Sequence, residues 1–90
     1  MAWIITYANT EAIGETERPL PICSRNWTGT KKQLLNAVYK FRLFDDDHIL
    51  YYEGSSTIPY SFAPLDDFGR GDSGCTEIQY QETGGSWTTL

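Results

Sequence analysis

Tyr39-Lys40-Phe41-Arg42-Leu43-Phe44-Asp45-Asp46-Asp47-His48-Ile49-Leu50-Tyr51-Tyr52-Glu53-Gly54 reads as one β-hairpin. Tyr39, Phe41 and Leu43 alternate with Lys40 and Arg42, the period-two pattern of a strand with one buried face. A two-residue loop at Asp47 and His48 sets Asp46 opposite Ile49, Phe44 opposite Tyr51, Leu43 opposite Tyr52 and Arg42 opposite Glu53. That register places an opposite-charge pair directly across the ladder. It also gathers Tyr39, Phe41, Leu43, Leu50 and Tyr52 on one face, so pairing and apolar pattern agree. A type I′ turn favours glycine at its second position. His48 stands there, and histidine tolerates the left-handed region better than most residues.

Working outward, Ala2 to Tyr7 has the β-branched and aromatic content of a strand. Residues 9 to 30 carry Gly14, Pro19, Pro21 and Gly29 among scattered polar groups, which reads as a long, partly ordered loop. Thr30 to Val38 suits either a short helix capped by Thr30 or the lead-in to a strand. Beyond the hairpin, Ser55 to Tyr60 reads as a linker. Ala63 to Phe68 reads as one or two helical turns, with Pro64 at the first position, Asp66 and Asp67 complementing the N-terminal end and Gly69 as cap. Phe62, Leu65 and Phe68 recur every three residues and are expected to pack on the sheet. Thr76 to Glu82 alternates again, and Gly84 and Gly85 turn the chain into Trp87 to Leu90 as a second hairpin. The expected fold is α+β: a small antiparallel sheet of four or five strands, built from two hairpins, with one short helical segment.

The chain has 90 residues, the size of a single domain with a small core. Three Trp, six Tyr and four Phe compensate, because each ring buries a large apolar area. Seven basic and twelve acidic residues give a net charge of −5. The charge is segregated: positions 1 to 42 sum to +3 and positions 43 to 90 to −8. Such a balance disfavours nucleic acid or an anionic membrane as ligand and favours a basic partner. Cys23 and Cys75 stand alone, with no C-x-x-C pair, and read as two buried free thiols, with a single disulfide closing a long loop as the alternative, rather than zinc or redox chemistry. No run approaches a membrane span and Met1 to Tyr7 lacks the basic start of a signal peptide. The expected location is therefore cytoplasmic, the host cytoplasm for a phage-encoded protein.

Three segments carry a resemblance. The hairpin Phe41 to Gly54, the segment Phe62-Ala63-Pro64-Leu65-Asp66-Asp67-Phe68-Gly69 and the tail Gly74-Cys75-Thr76-Glu77-Ile78-Gln79-Tyr80 are similar to a group of small, functionally uncharacterised bacterial and phage proteins. The likeness covers about positions 41 to 90 and the opening Trp3-Ile4-Ile5-Thr6. Members of that group usually have glycine where His48 stands. The resemblance implies a compact prokaryotic domain and brings no activity, catalytic residue or cofactor.

Short motifs add little. Gly71-Asp72-Ser73-Gly74 resembles the nucleophile motif of chymotrypsin-type proteases, and His48, Asp66 and Ser73 follow that family's chain order. The chain is too short for the two barrels that build such a triad, and Cys75-Thr76 departs from the motif, so a glycine-rich turn is the better reading. Arg70-Gly71-Asp72 and the sequon Asn26-Trp27-Thr28 have meaning only in a secreted protein. The contiguous acids at 45 to 47 lack the spacing of a calcium loop. No cofactor or metal site is expected.

What remains is a binding protein without catalysis, offering Asp45, Asp46, Asp47, Glu53, Asp66 and Asp67 to a basic protein surface. A nucleic-acid-handling enzyme is the natural target, and an anti-CRISPR or antirestriction inhibitor is the sharpest form of this expectation. A solvated turn that guards a sheet edge explains the aspartates equally well. The alternative from a different class is a self-associating interaction domain, using a sheet edge or aromatics such as Trp27, Tyr60 and Trp87.

Overall fold

The computed structural model describes residues 3–13, 20–24, 37–69, 71 and 74–90. It is mainly β. Strands β1 (Trp3–Ala8), β2 (Ile22–Cys23), β3 (Tyr39–Phe44), β4 (Leu50–Ser56), β5 (Glu77–Gln81) and β6 (Trp87–Thr89) form one sheet in the order β2-β1-β4-β3-β5-β6. Every neighbouring pair is antiparallel. The helical pieces are α1 (Thr10–Ile13) and a π-helical turn at Leu65–Gly69. Six strands replace the four or five expected, and helix is a minor component. Within the supposed loop 9–30, α1 and β2 are ordered elements. The two residues of β2 are held by Ser24, whose amide donates to the Trp3 carbonyl at 2.9 Å while its Oγ accepts the Trp3 amide at 3.2 Å. The proposed helix at 30–38 falls largely outside the described residues, as do Arg70, Asp72, Ser73 and the sequon at 26–28.

The core lies on one face of the sheet. Trp3 and Ile5 of β1, Phe41 and Leu43 of β3, Tyr52 of β4 and Ile78 and Tyr80 of β5 cluster beneath Leu65, Phe68 and Cys75. Alternation explains the selection, since each strand turns every second side chain toward that cover. Gly54, opposite both Ile5 and Phe41, leaves no space for a side chain: a Cβ there collides with the Ile4 carbonyl and sits 2.7 Å from the Phe41 ring. Ile4 is fully buried yet stands outside this cluster, as its opposite orientation requires.

The central hairpin departs from expectation at its tip. Arg42 pairs with Glu53 and Leu43 with Tyr52 as the sequence indicates, but Phe44 pairs with Leu50 rather than Tyr51. Tyr51 is the extra residue of a β-bulge. It packs against the core cluster, and Leu50 leaves the core side that the simple register assigned to it. The loop is Asp46 to His48, closed by His48 N–H to the Asp45 carbonyl at 3.0 Å and Asp45 N–H to the Ile49 carbonyl at 3.2 Å. His48 does take a positive φ of 61°, as the third residue of a three-residue loop. The β5–β6 hairpin repeats this plan, with Gly85 at φ 93° in the equivalent place and matching bonds between Glu82, Gly85 and Ser86.

The covering segment also differs in detail. Leu65 and Phe68 are buried as expected, whereas Phe62 is 48% exposed, because it precedes the wide turn that aims Leu65 and Phe68 inward. Gly69 serves packing rather than helix capping: a Cβ would lie 3.0 Å from Leu43 and 3.1 Å from Cys75.

Both cysteines are free; Cys75 is buried and Cys23 only partly so, a correction to the expectation of two buried thiols. Burial pushes the Cys75 thiol from 9.0 up to about 12. The unfolded chain releases this proton above pH 9 while the folded protein keeps it. Stability is therefore expected to fall as pH rises from about 9 toward 12, and burial of the Tyr80 phenol, also raised, acts in the same direction. Urea midpoints should drop between about pH 8 and pH 11, with a smaller drop in Cys75→Ala. A flat profile would contradict the buried thiol.

Candidate functional site

The aspartate loop is braced from three directions. The Asp45 carboxylate accepts the amides of Asp47 at 3.0 Å and Ile49 at 2.9 Å through the same Oδ1, an Asx-type arrangement that competes with simple ladder pairing. The Tyr51 phenol is raised by desolvation and by the neighbouring Asp45 carboxylate. On the other side, the His48 ring stacks on Phe44 with centroids 4.6 Å apart and planes within 2°. Its Nδ1 lies 3.2 Å from Glu77 Oε1. Asp45 is half-buried, while Asp46 and Asp47 are exposed, and neither of the latter makes an ion pair among the described residues.

Asp45 thus has a structural task. Asp45→Ala should cost about 1–2 kcal/mol, because two amides lose a charged acceptor, readable as a lower urea midpoint with the fold retained. An unchanged midpoint would show that water replaces the carboxylate without loss.

The other acids sit elsewhere. Glu53 follows core-facing Tyr52 on β4, so it lies on the face opposite the cover, where its Oε1 is 3.0 Å from Arg42 Nε. Arg42 also stacks 3.9 Å from the centroid of Trp87. Both partners of the ion pair are about one-third exposed, so solvent screening limits the pair to about 1 kcal/mol or less. Asp66 and Asp67 are exposed on the covering segment, across the sheet from Glu53. The six carboxylates therefore do not form one surface; Asp46 and Asp47 share the hairpin tip, and Glu53 is held in place by Arg42.

Two features escaped sequence reasoning. On the open face, Glu77 is a hub that meets His48, receives Gln79 Nε2 at 2.8 Å and accepts Thr89 Oγ1 at 3.3 Å. The alternation of Glu77 and Gln79 marked that face as polar, but the β5–β6 register is needed to bring Thr89 to them. At the far end of the sheet, Tyr39, Pro59, Tyr60, Tyr80 and Glu82 line a groove of about 440 Å³. Nothing in the run Ser55 to Tyr60 signals it, since Tyr60 adopts φ 57°, a backbone state that a bulky residue rarely takes.

For the protease order His48, Asp66, Ser73, the His48 ring is committed to Phe44 and Glu77, and Ser73 lies outside the described residues. Among the described residues no group of three or more His, Cys, Asp or Glu is placed to hold a metal ion, and no helix is long and apolar enough to cross a membrane. No family model, curated protein or solved structure matches the chain.

Proposed function

We propose that this protein is a non-enzymatic binding protein that docks an acidic surface, led by Asp46 and Asp47, on a basic protein surface. The observation that carries the reading is the braced loop: two backbone bonds and two amide-to-carboxylate bonds at Asp45 and the His48 stack hold two exposed carboxylates outward. A charge fixed in place before encounter loses less freedom on binding than one on a flexible tail. Asp66 and Asp67 extend the acidic field, and the net charge of −5 steers a basic partner. A nucleic-acid-handling enzyme offers such a surface. Occupation of its groove in place of phosphates makes the protein an inhibitor of anti-CRISPR or antirestriction type, acting in a host cytoplasm.

The test is capture of nucleic-acid-binding proteins from a prokaryotic lysate on immobilised protein at low and high salt. Wild type should retain a basic partner that salt releases, and Asp46→Asn/Asp47→Asn should lose most of it. Asp45 is left intact in this variant because its carboxylate holds the loop together. Equal retention by the double variant would end the proposal.

Self-association is the second reading, favoured by exposed Tyr60 and by the terminal position of β6 in the sheet. Its signature is an oligomer whose size is insensitive to salt.

A further inference from the structure

We propose that the tyrosine-lined groove at the end of the sheet away from the aspartate loop binds a proline-rich segment in the polyproline II conformation that carries a basic residue. The groove lies where β3 begins and β4 ends. Tyr80, 1% exposed, forms its floor, while Tyr39 at 36% and Tyr60 at 49% present ring surface to solvent. Its volume of about 440 Å³ is in the range that accommodates a few residues of ligand.

Tyr60 is held in this position against its own preference. A non-glycine residue at φ 57° carries a backbone cost, and such strain concentrates at binding sites. The neighbours impose it. Ser56 Oγ, fully buried, donates to the Ile58 carbonyl at 2.8 Å and accepts the Ile58 amide at 3.1 Å, which sets the turn into Pro59. After Tyr60, the Ser61 carbonyl receives the Tyr80 hydroxyl at 2.8 Å and Ser61 Oγ accepts the Ala63 amide at 3.1 Å. The Tyr60 ring lies 5.9 Å from that of Tyr80, and its hydroxyl donates to Glu82 Oε2 at 2.6 Å. An exposed aromatic ring is thus pre-positioned by anchors on both sides.

The state of the polar groups selects the ligand class. Glu82 accepts the Tyr60 hydroxyl, which with nearby Thr88 lowers its carboxyl below the usual value, and Gln81 Nε2 donates to the Gly85 carbonyl at 3.3 Å. These bonds fix the Glu82 carboxylate as a charged acceptor with lone pairs still free, which suits a single cation better than the several hydroxyls of a sugar. Proline needs few polar partners: it has no amide hydrogen, its carbonyl stays solvated, and a polyproline II helix presents rigid ring faces that dock between aromatic side chains at little entropic cost. The bonds that Glu82 accepts stabilise its ionised form, so a negative charge stands at the groove wall. A lysine or arginine in the segment meets it.

The probe is a fluorescein-labelled decapeptide with prolines at three-residue spacing and one flanking arginine, titrated by anisotropy into the full chain. Saturable binding is expected, lost when the prolines become alanine and weakened about tenfold by Tyr39→Ala. Tyr60→Gly removes the ring while relaxing the backbone; it should weaken binding by a similar factor with the fold retained by circular dichroism, which separates lost contact from lost structure. Glu82→Gln should erase the preference for the arginine peptide over its glutamine counterpart. Asp46→Asn/Asp47→Asn should bind the peptide like wild type, so this site and the acidic loop succeed or fail separately. The proposal is overturned by absence of saturable binding or by full affinity in both tyrosine variants. Tighter binding of a trimethyl-lysine peptide or an oligosaccharide, or a salt-insensitive dimer that occludes the groove, overturns it equally.

Discussion

Gly54→Ala is expected to destabilise the protein by about 3 kcal/mol or more, a large part of the ~5–14 kcal/mol that a chain of this size commands. The reason is that the obstacle is backbone. The added Cβ collides with the carbonyl of Ile4 on the neighbouring strand and approaches the Phe41 ring to 2.7 Å. A flexible side-chain tip yields to such pressure at small cost; a carbonyl in the ladder between β1 and β4 does not. Gly54 occupies the middle of β4, with β1 on one side and β3 on the other. Relief therefore requires opening the sheet near its centre. Urea denaturation should show a markedly lower midpoint or no folded baseline at all. Gly84→Ala, with nothing within 4 Å of the new Cβ, should remain close to wild type. Similar midpoints for the two variants would mean that β1 and β4 lie farther apart than described.

The comparison of these glycines shows which parts of the fold the sequence exposes. Alternation from Tyr39 to Leu43 was legible because the two faces of β3 meet different environments, core on one side and polar side chains on the other. The pairs Leu43 with Tyr52 and Arg42 with Glu53 follow from matching that pattern. Legibility ends at Phe44, where the Asp45 carboxylate binds two amides and the loop takes three residues instead of two. A side chain that competes for backbone donors leaves no mark on hydrophobic periodicity. The two residues of β2 are too few to show a period, and Ser24 holds them by bonds that only the fold reveals.

The candidate site divides the same way. Three adjacent aspartates are plain in the sequence, but only the fold assigns Asp45 to the loop's own architecture and leaves Asp46 and Asp47 exposed. Glu53 separates from the other acids: its pairing with Arg42 follows from the hairpin register, whereas the stack of Arg42 on Trp87 depends on β6 at the edge of the sheet. The groove was invisible because its key residue, Tyr60, contradicts its own conformational preference. Local preference and global fold disagree there, a pattern common at functional positions.

Phe68→Ala should be nearly as damaging as the glycine variant, at about 3–5 kcal/mol. Phe68 is 3% exposed and joins the covering segment to the sheet, edge-on to Tyr52 at 4.9 Å and tilted against Trp3 at 5.8 Å. Truncation leaves a void that collapses poorly, because the partners are rings fixed by neighbouring strands, and it also forfeits the ring–ring terms. Phe62→Ala supplies the contrast. Three-residue spacing gave Phe62, Leu65 and Phe68 the same role, yet Phe62 is half exposed, and its loss should change stability by about 0.5 kcal/mol or less. Near-UV circular dichroism should lose the aromatic signal in Phe68→Ala alone. Equal, mild effects of the two phenylalanine variants would refute the cover as the clamp on the core.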